Sequence, residues 1–242
     1  VPTPFTHLAY GQRLIADAAL PAALRDLIRV HYPAFLLGSI APDGHHLCRL
    51  GREQTHFYAY ERPMDEHPYR VMLQRYPALS QVDGAARAFT LGYIAHLALD
   101  EIWAVQMLRP HFVERAWGDR HLRFLMLHAV LIAMDERDRV VLSPETVSAL
   151  GAADPRGWSP FMSDAALADW RRIIHRQIAP GGTSETYAVI APRVGLTVSE
   201  IAALMADQTR LERDLWANIP RTLLAEVEAA MYAAARDQMM RY

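Results

Sequence analysis

His96 and Asp100 lie four residues apart in the stretch Gly92-Tyr-Ile-Ala-His96-Leu-Ala-Leu-Asp100. At helical spacing an imidazole nitrogen and a carboxylate oxygen one turn apart can point at a common cation. Gly92 lies one further turn back on the same face. A glycine inside a helix costs roughly 1 kcal/mol relative to alanine, so its presence suggests that another segment of chain approaches closely there. Taken alone, the pair reads equally as a core histidine hydrogen-bonded to a neighbouring aspartate, and that is the commoner arrangement.

Three other places carry the same kinds of ligand atom. Phe35-Leu-Leu-Gly-Ser-Ile-Ala-Pro42-Asp43-Gly44 delivers an aspartate at a Pro-Asp-Gly turn, where Asp43 is either an oxygen ligand or a turn residue bonded to its own backbone. Arg52-Glu-Gln-Thr55-His56-Phe57 reads as a loop histidine between a hydroxyl and an aromatic ring, and Thr6-His7 opens the first helix. Each residue by itself has an ordinary structural explanation.

The order of these elements is more specific than any one of them. Thr-His near the start, Gly-Ser-Ile-Ala-Pro-Asp, Arg-x-x-Thr-His-Phe and Leu-Gly-Tyr-x-x-His-x-x-x-Asp together resemble the zinc-dependent phospholipase C family over about the first 110 residues. That family is similar in fold to the single-strand-specific zinc nucleases, so the resemblance implies an all-α, irregular multi-helix bundle that cleaves phosphoric esters. It implies zinc, one or two ions. Asp43, His56 and His96 match ligands of one ion, Asp100 the carboxylate bridging to a second, and His7 a ligand of that second ion. The family's amino-terminal ligand is not expected here, because Val1 is only six residues from His7 and Pro2 and Pro4 stiffen the connection.

A further family ion depends on a histidine soon after the helix aspartate and on a later His-x-x-x-Glu helix. Here Gln106 stands six residues after Asp100, while Leu125 and Ile132 stand four residues after His121 and His128, so that ion is expected to be absent or differently held. His111, His121 and His128 then read as structural. Of the adjacent His45 and His46, at most one faces the metal. Trp103 shares the face of His96, and Tyr58 and Tyr60 follow His56; packing is the simplest reading of all three.

The implied chemistry is hydrolysis of a phosphodiester by a metal-activated water. Asp43 is the expected base, and Arg52, or Arg49, the expected partner of a phosphate oxygen. The substrate is expected to be a small phosphoester or a phospholipid head group. The alternative is a degenerate relative that keeps the cleft and acts as a binding or assembly subunit, through a homo-oligomer or protein contact of the Met- and Ala-rich region from Ala225 to Met240.

What must position these residues is mostly helix. Apolar residues recur at helical spacing, and alternation with a period of two is rare. Helices are expected over residues 5–18, 22–36, 66–75, 84–108, 119–135, 145–150, 164–177 and 197–238, the last broken at Pro220. Residues 41–59 and 179–183 read as loops, and Val140 to Leu142 as either a short extended segment or a frayed helix end. With 242 residues, 52% hydrophobic and 21% charged, one domain over residues 1–242 is expected. A net charge of -2 without a basic stripe argues against duplex nucleic acid. The single cysteine, Cys48, excludes an intrachain disulfide. Val1-Pro2-Thr3-Pro4 does not read as a secretory leader, so a cytoplasmic chain without a transmembrane segment is expected.

Overall fold

The computed structural model describes residues 2–242 and contains no strand among them. In chain order the α-helices are α1 (Pro4–Ile15), α2 (Ala22–Val30), α3 (Tyr32–Ile40), α4 (Arg52–His56), α5 (Pro68–Arg75), α6 (Gly84–Ile102), α7 (Arg120–Val140), α8 (Pro144–Ala152), α9 (Asp164–Ile178), α10 (Thr186–Ile190), α11 (Val198–Ala206), α12 (Gln208–Leu211) and α13 (Arg221–Arg241). The fold is all-α, as the periodicity requires.

The centre of the bundle is α6. Every residue from Ala88 to Asp100 is buried, which is the signature of a helix wrapped on all sides rather than laid on a surface. α3 and α13 pack along it, and α1, α2 and α5 also touch it. The α3–α6 crossing is close because both helices present glycine. A Cβ on Gly92 would fall inside the Phe35 carbonyl oxygen, and one on Gly38 inside that of Phe89.

Several expected boundaries are corrected. The helix expected over residues 22–36 is two helices, because Pro33 has no N–H to continue a helix and is accommodated in the first turn of a new one. The loop expected over residues 41–59 holds a 3-10 helix, Ala41–Cys48, and then α4. The helix expected to end at 108 stops at Ile102 and continues as a wider π-helical stretch, Trp103–Glu114, closed by Arg115 N–H on the Pro110 carbonyl at 3.2 Å. Val140 ends α7, and Val141 keeps helical torsion angles, so that segment is a helix end and not a strand. Pro220 does break the last expected helix, which divides into α11, α12, a π-helical turn and α13.

The stripe Leu224, Val227, Met231, Ala235 and Met239 of α13 is buried and α13 packs on α6, whereas Met240 near its end is exposed. Among the described residues no single helix is long and apolar enough to cross a membrane.

Candidate metal centre

Five side chains from four elements converge at one end of the α3–α6 crossing. His96 and Asp100 come from α6, His7 from the first turns of α1, Asp43 from the 3-10 helix and His56 from the last residue of α4. His7, His56, His96 and Asp100 are enclosed, while the Asp43 side chain keeps 19% of its surface open.

Each ligand arm is fixed by backbone. The 3-10 helix continues directly from α3, and the Ile40 carbonyl at the junction accepts from the Trp170 indole at 2.7 Å. Gly44, next to Asp43, has no alternative, because a Cβ there would lie 2.8 Å from Trp170 Cγ. α4 is tied to the 3-10 helix by the Thr55 hydroxyl on the Pro42 carbonyl at 3.1 Å and to α6 by the Tyr93 hydroxyl on the Thr55 carbonyl at 2.7 Å. Phe57 then turns the chain with φ 61°, a left-handed conformation that costs a non-glycine residue about 1–2 kcal/mol. Its ring sits among Tyr76, Tyr93 and Phe161, and this burial holds the turn in place.

The imidazoles are oriented by carbonyls. His96 Nδ1 donates to the Ser39 carbonyl at 2.9 Å, and His56 Nδ1 lies 3.2 Å from the Arg52 carbonyl. The Thr55 hydroxyl also lies 3.1 Å from His56 Nδ1; with that hydroxyl given to the Pro42 carbonyl, His56 Nδ1 keeps its proton, and both Nε2 atoms then present lone pairs 3.4 Å apart. Two lone pairs cannot bond each other, so the pair calls for an electrophile between them. His56 Nε2 is 3.4 Å from Asp43 Oδ1 and 3.5 Å from Asp100 Oδ2; His96 Nε2 is 4.0 Å and 3.7 Å from the same atoms. These separations exceed hydrogen-bond lengths and approach the roughly 3.4 Å spacing of ligand atoms in a tetrahedral zinc shell with bonds of about 2.0–2.1 Å.

His7 joins the same cluster, with a ring nitrogen close enough to Asp43 and His96 to share an ion with them. Its ring stacks on His96 with centroids 3.7 Å apart, and its Nε2 lies 3.4 Å from Asp100 Oδ1. Both ring nitrogens of His7 and Asp100 Oδ1 are buried without a hydrogen-bond partner. Such atoms cost about 1–3 kcal/mol each when nothing satisfies them, which is what a metal shell read without its ion looks like.

The protonation states suit a cation. Burial drives the His96 imidazole down to about 3 and lowers His56 as well, so both are neutral ligands near pH 7. Burial works against charge on Asp43 and Asp100, but the surrounding imidazoles, His96 foremost, outweigh it and hold Asp43 at about 2 and Asp100 well below the usual carboxylate range. Two carboxylates and neutral histidines leave net negative charge, which Arg52 alone, at 3.1 Å from Asp100 Oδ2, only half balances. His/Asp donors without sulfur, two of them buried and unpartnered, fit zinc.

The remaining sequence candidates fall elsewhere. Arg52, expected on a phosphate, pairs with Asp100 and with the Tyr58 hydroxyl at 2.7 Å. Arg49 is exposed, in a left-handed conformation. His45 turns its Nδ1 to the Leu50 carbonyl at 3.0 Å with its ring edge towards His56, while His46 packs against Trp170. His128 bonds the Phe124 carbonyl of its own helix at 2.8 Å, and Trp103 is fully enclosed. Neither His111, His121 nor His128 joins any group able to hold a metal among the described residues. The contact considered for Val1 lies outside the described residues. Trp170 carries no local signal of its role in the sequence; Tyr93 does, by standing three residues before His96 on the same helix.

No curated protein and no solved structure matches the chain. A family model described as zinc dependent phospholipase C matches residues 6–140, a span that runs from the residue before His7 to the end of α7 and holds all five converging side chains. With that match covering more than half of its length, the chain belongs to the zinc-dependent phospholipase C family.

Proposed function

We propose that residues 1–242 form one helical metal-binding domain that hydrolyses phosphoric esters, with a small phosphoester or a phospholipid head group as substrate. The observation that carries this reading is the opposed pair of imidazole Nε2 atoms, 3.4 Å apart, ringed by two carboxylates. Asp43, His56, His96 and Asp100 Oδ2 would hold one zinc, and His7 with Asp100 Oδ1 would contribute to a second. Bound zinc would supply positive charge that acidifies water and polarises a phosphoryl oxygen.

The chain's own groups divide the remaining work. Asp43 is the least enclosed carboxylate of the set, so its outer oxygen is the group placed to take the proton of the attacking water. Asp100 has no exposed surface and stays a ligand, one oxygen facing His7 and the other facing His56 and His96. Arg52 pairs with a phosphoryl oxygen at the lip of the site.

The test is metal content by plasma mass spectrometry on wild type, His96→Ala and Asp100→Ala, with hydrolysis of a chromogenic phosphodiester on the same samples. Zinc near stoichiometry in the wild type, lost with activity in both variants, is the expected result. A wild type that takes up no zinc when it is supplied would overturn the reading and leave the cleft as a binding module.

A further inference from the structure

Beside the ligand cluster, the Arg52 guanidinium sits in the corner between two tyrosine rings. Its carbon lies 4.6 Å from the Tyr58 centroid and 4.2 Å from that of Tyr60, and the two rings stand at 87° to each other. Nη2 is fully engaged, by Asp100 Oδ2 at 3.1 Å and the Tyr58 hydroxyl at 2.7 Å. Nη1 has no partner, although it is shielded from solvent. The side chain is thus locked in place by one carboxylate, one hydroxyl and two π-faces, and a charged donor is left over next to the candidate metal ligands.

The faces of two tyrosines beside a phosphoester site are what a quaternary ammonium head group would need. Here those faces are already taken by the chain's own cation. A substrate whose alcohol carries positive charge would find no aromatic cage and would meet a guanidinium instead. A substrate whose alcohol is neutral or negative meets no repulsion, and an anionic one is drawn to the guanidinium, whose side chain keeps 22% of its surface open.

We propose that Arg52, clamped by Tyr58 and Tyr60, reads the charge of the substrate's head group, so that the site takes phosphoesters with anionic or uncharged alcohols and discriminates against quaternary ammonium ones. This rests on the proposed phosphoester chemistry and adds the substrate class to it. Asp100 couples the two: the carboxylate assigned to the metals also fixes Arg52, so the charge reader stands at a set position relative to the reacting phosphorus.

The experiment is calorimetric titration of zinc-supplied protein with glycerol 3-phosphate and with phosphocholine, which share a phosphate and differ in the cation. Wild type, Arg52→Gln and Arg52→Lys are compared, and zinc content is measured in each. Wild type is expected to bind glycerol 3-phosphate at least about tenfold more tightly. Arg52→Gln is expected to keep its zinc and to narrow the ratio to about twofold or less, and Arg52→Lys to keep most of the preference because it keeps the charge. In hydrolysis the substitution to Gln should act mainly on KM. Zinc-loaded wild type that binds both ligands equally, or Arg52→Gln that keeps the tenfold ratio, overturns this inference alone. Wild type without zinc overturns the metal centre and this inference together.

Discussion

α6 buries His96 and Asp100, α7 buries His128 with Asp135 and Asp138, and the pairs His96–Asp100 and His128–Asp135 behave in opposite ways. On α6, His96 gives its Nδ1 proton to a carbonyl of another helix, Ser39 of α3, and its Nε2 faces His56. On α7, His128 gives the same proton to Phe124 of its own helix and packs beneath that ring at 4.4 Å. Asp100 lies among imidazoles that hold its carboxyl low. Asp135, just as buried, is pushed up to about 6 by burial, because its partners, the hydroxyls of Thr3 and Thr186, are neutral and offset only part of the cost. A buried His and Asp are able to hold a metal when ligand atoms from other elements converge on them; without convergence they are a core hydrogen bond and an acid held up by burial.

The largest expected contrast is chemical. Asp100→Ala should abolish zinc retention and lower phosphodiester hydrolysis by about 10³-fold or more, while His128→Leu keeps zinc and stays within about threefold of wild type. Loss of zinc in His128→Leu would break the distinction between the helices. Next is the crossing that sets the geometry. Gly92→Ala forces a methyl into the Phe35 carbonyl and should cost about 3 kcal/mol, a fall in Tm of roughly 6–12 °C in thermal melts, with weakened zinc binding because Ser39 moves with α3.

Asp135 sharpens the comparison through pH. Its carboxyl titrates near 6 in the folded chain, against about 3.9 unfolded. Between those values the folded state binds the extra proton, so this group lowers stability as pH rises from about 4 to 6, and the cost is fully present above. Asp135→Asn should remove that slope and stabilise the protein at pH 7.5 by on the order of 2 kcal/mol, read from denaturant midpoints at several pH values. An unchanged slope would show that the hydroxyls suffice. The smallest effect is expected of Tyr93→Phe, which deletes the bond to the Thr55 carbonyl. It should cost about 1 kcal/mol of stability and weaken zinc about tenfold by loosening α4 and His56.

The five converging residues were legible because their types and order repeat a family pattern, and the helical class because apolar spacing is a local property of the chain. Boundaries at Pro33 and Pro220 differ instructively. Both prolines lack the N–H a helix interior needs, but only Pro220 stood out within a long apolar pattern, whereas Pro33 was masked by the largely apolar stretch from Leu27 to Leu37, interrupted only by Arg29 and His31. The stretch from residue 41 to 59 looked like a loop because Pro, Gly and paired histidines break periodicity. Its helical turns are imposed by Trp170, Tyr93 and the Phe161 ring against Phe57, all far away in sequence from the stretch they hold.

Sequence alone therefore determined the helical fold class and which residues carry ligand atoms, since both follow from side-chain chemistry and from spacing within one helix or one motif. Tertiary structure decided which way those atoms point. The His96 tautomer is set by a carbonyl of another helix, Ser39 of α3, the arms are brought together by two glycines that let α3 and α6 touch, and Arg52 is fixed by a carboxylate 48 residues away. Direction at a site is a property of distant backbone contacts, and no local pattern encodes it.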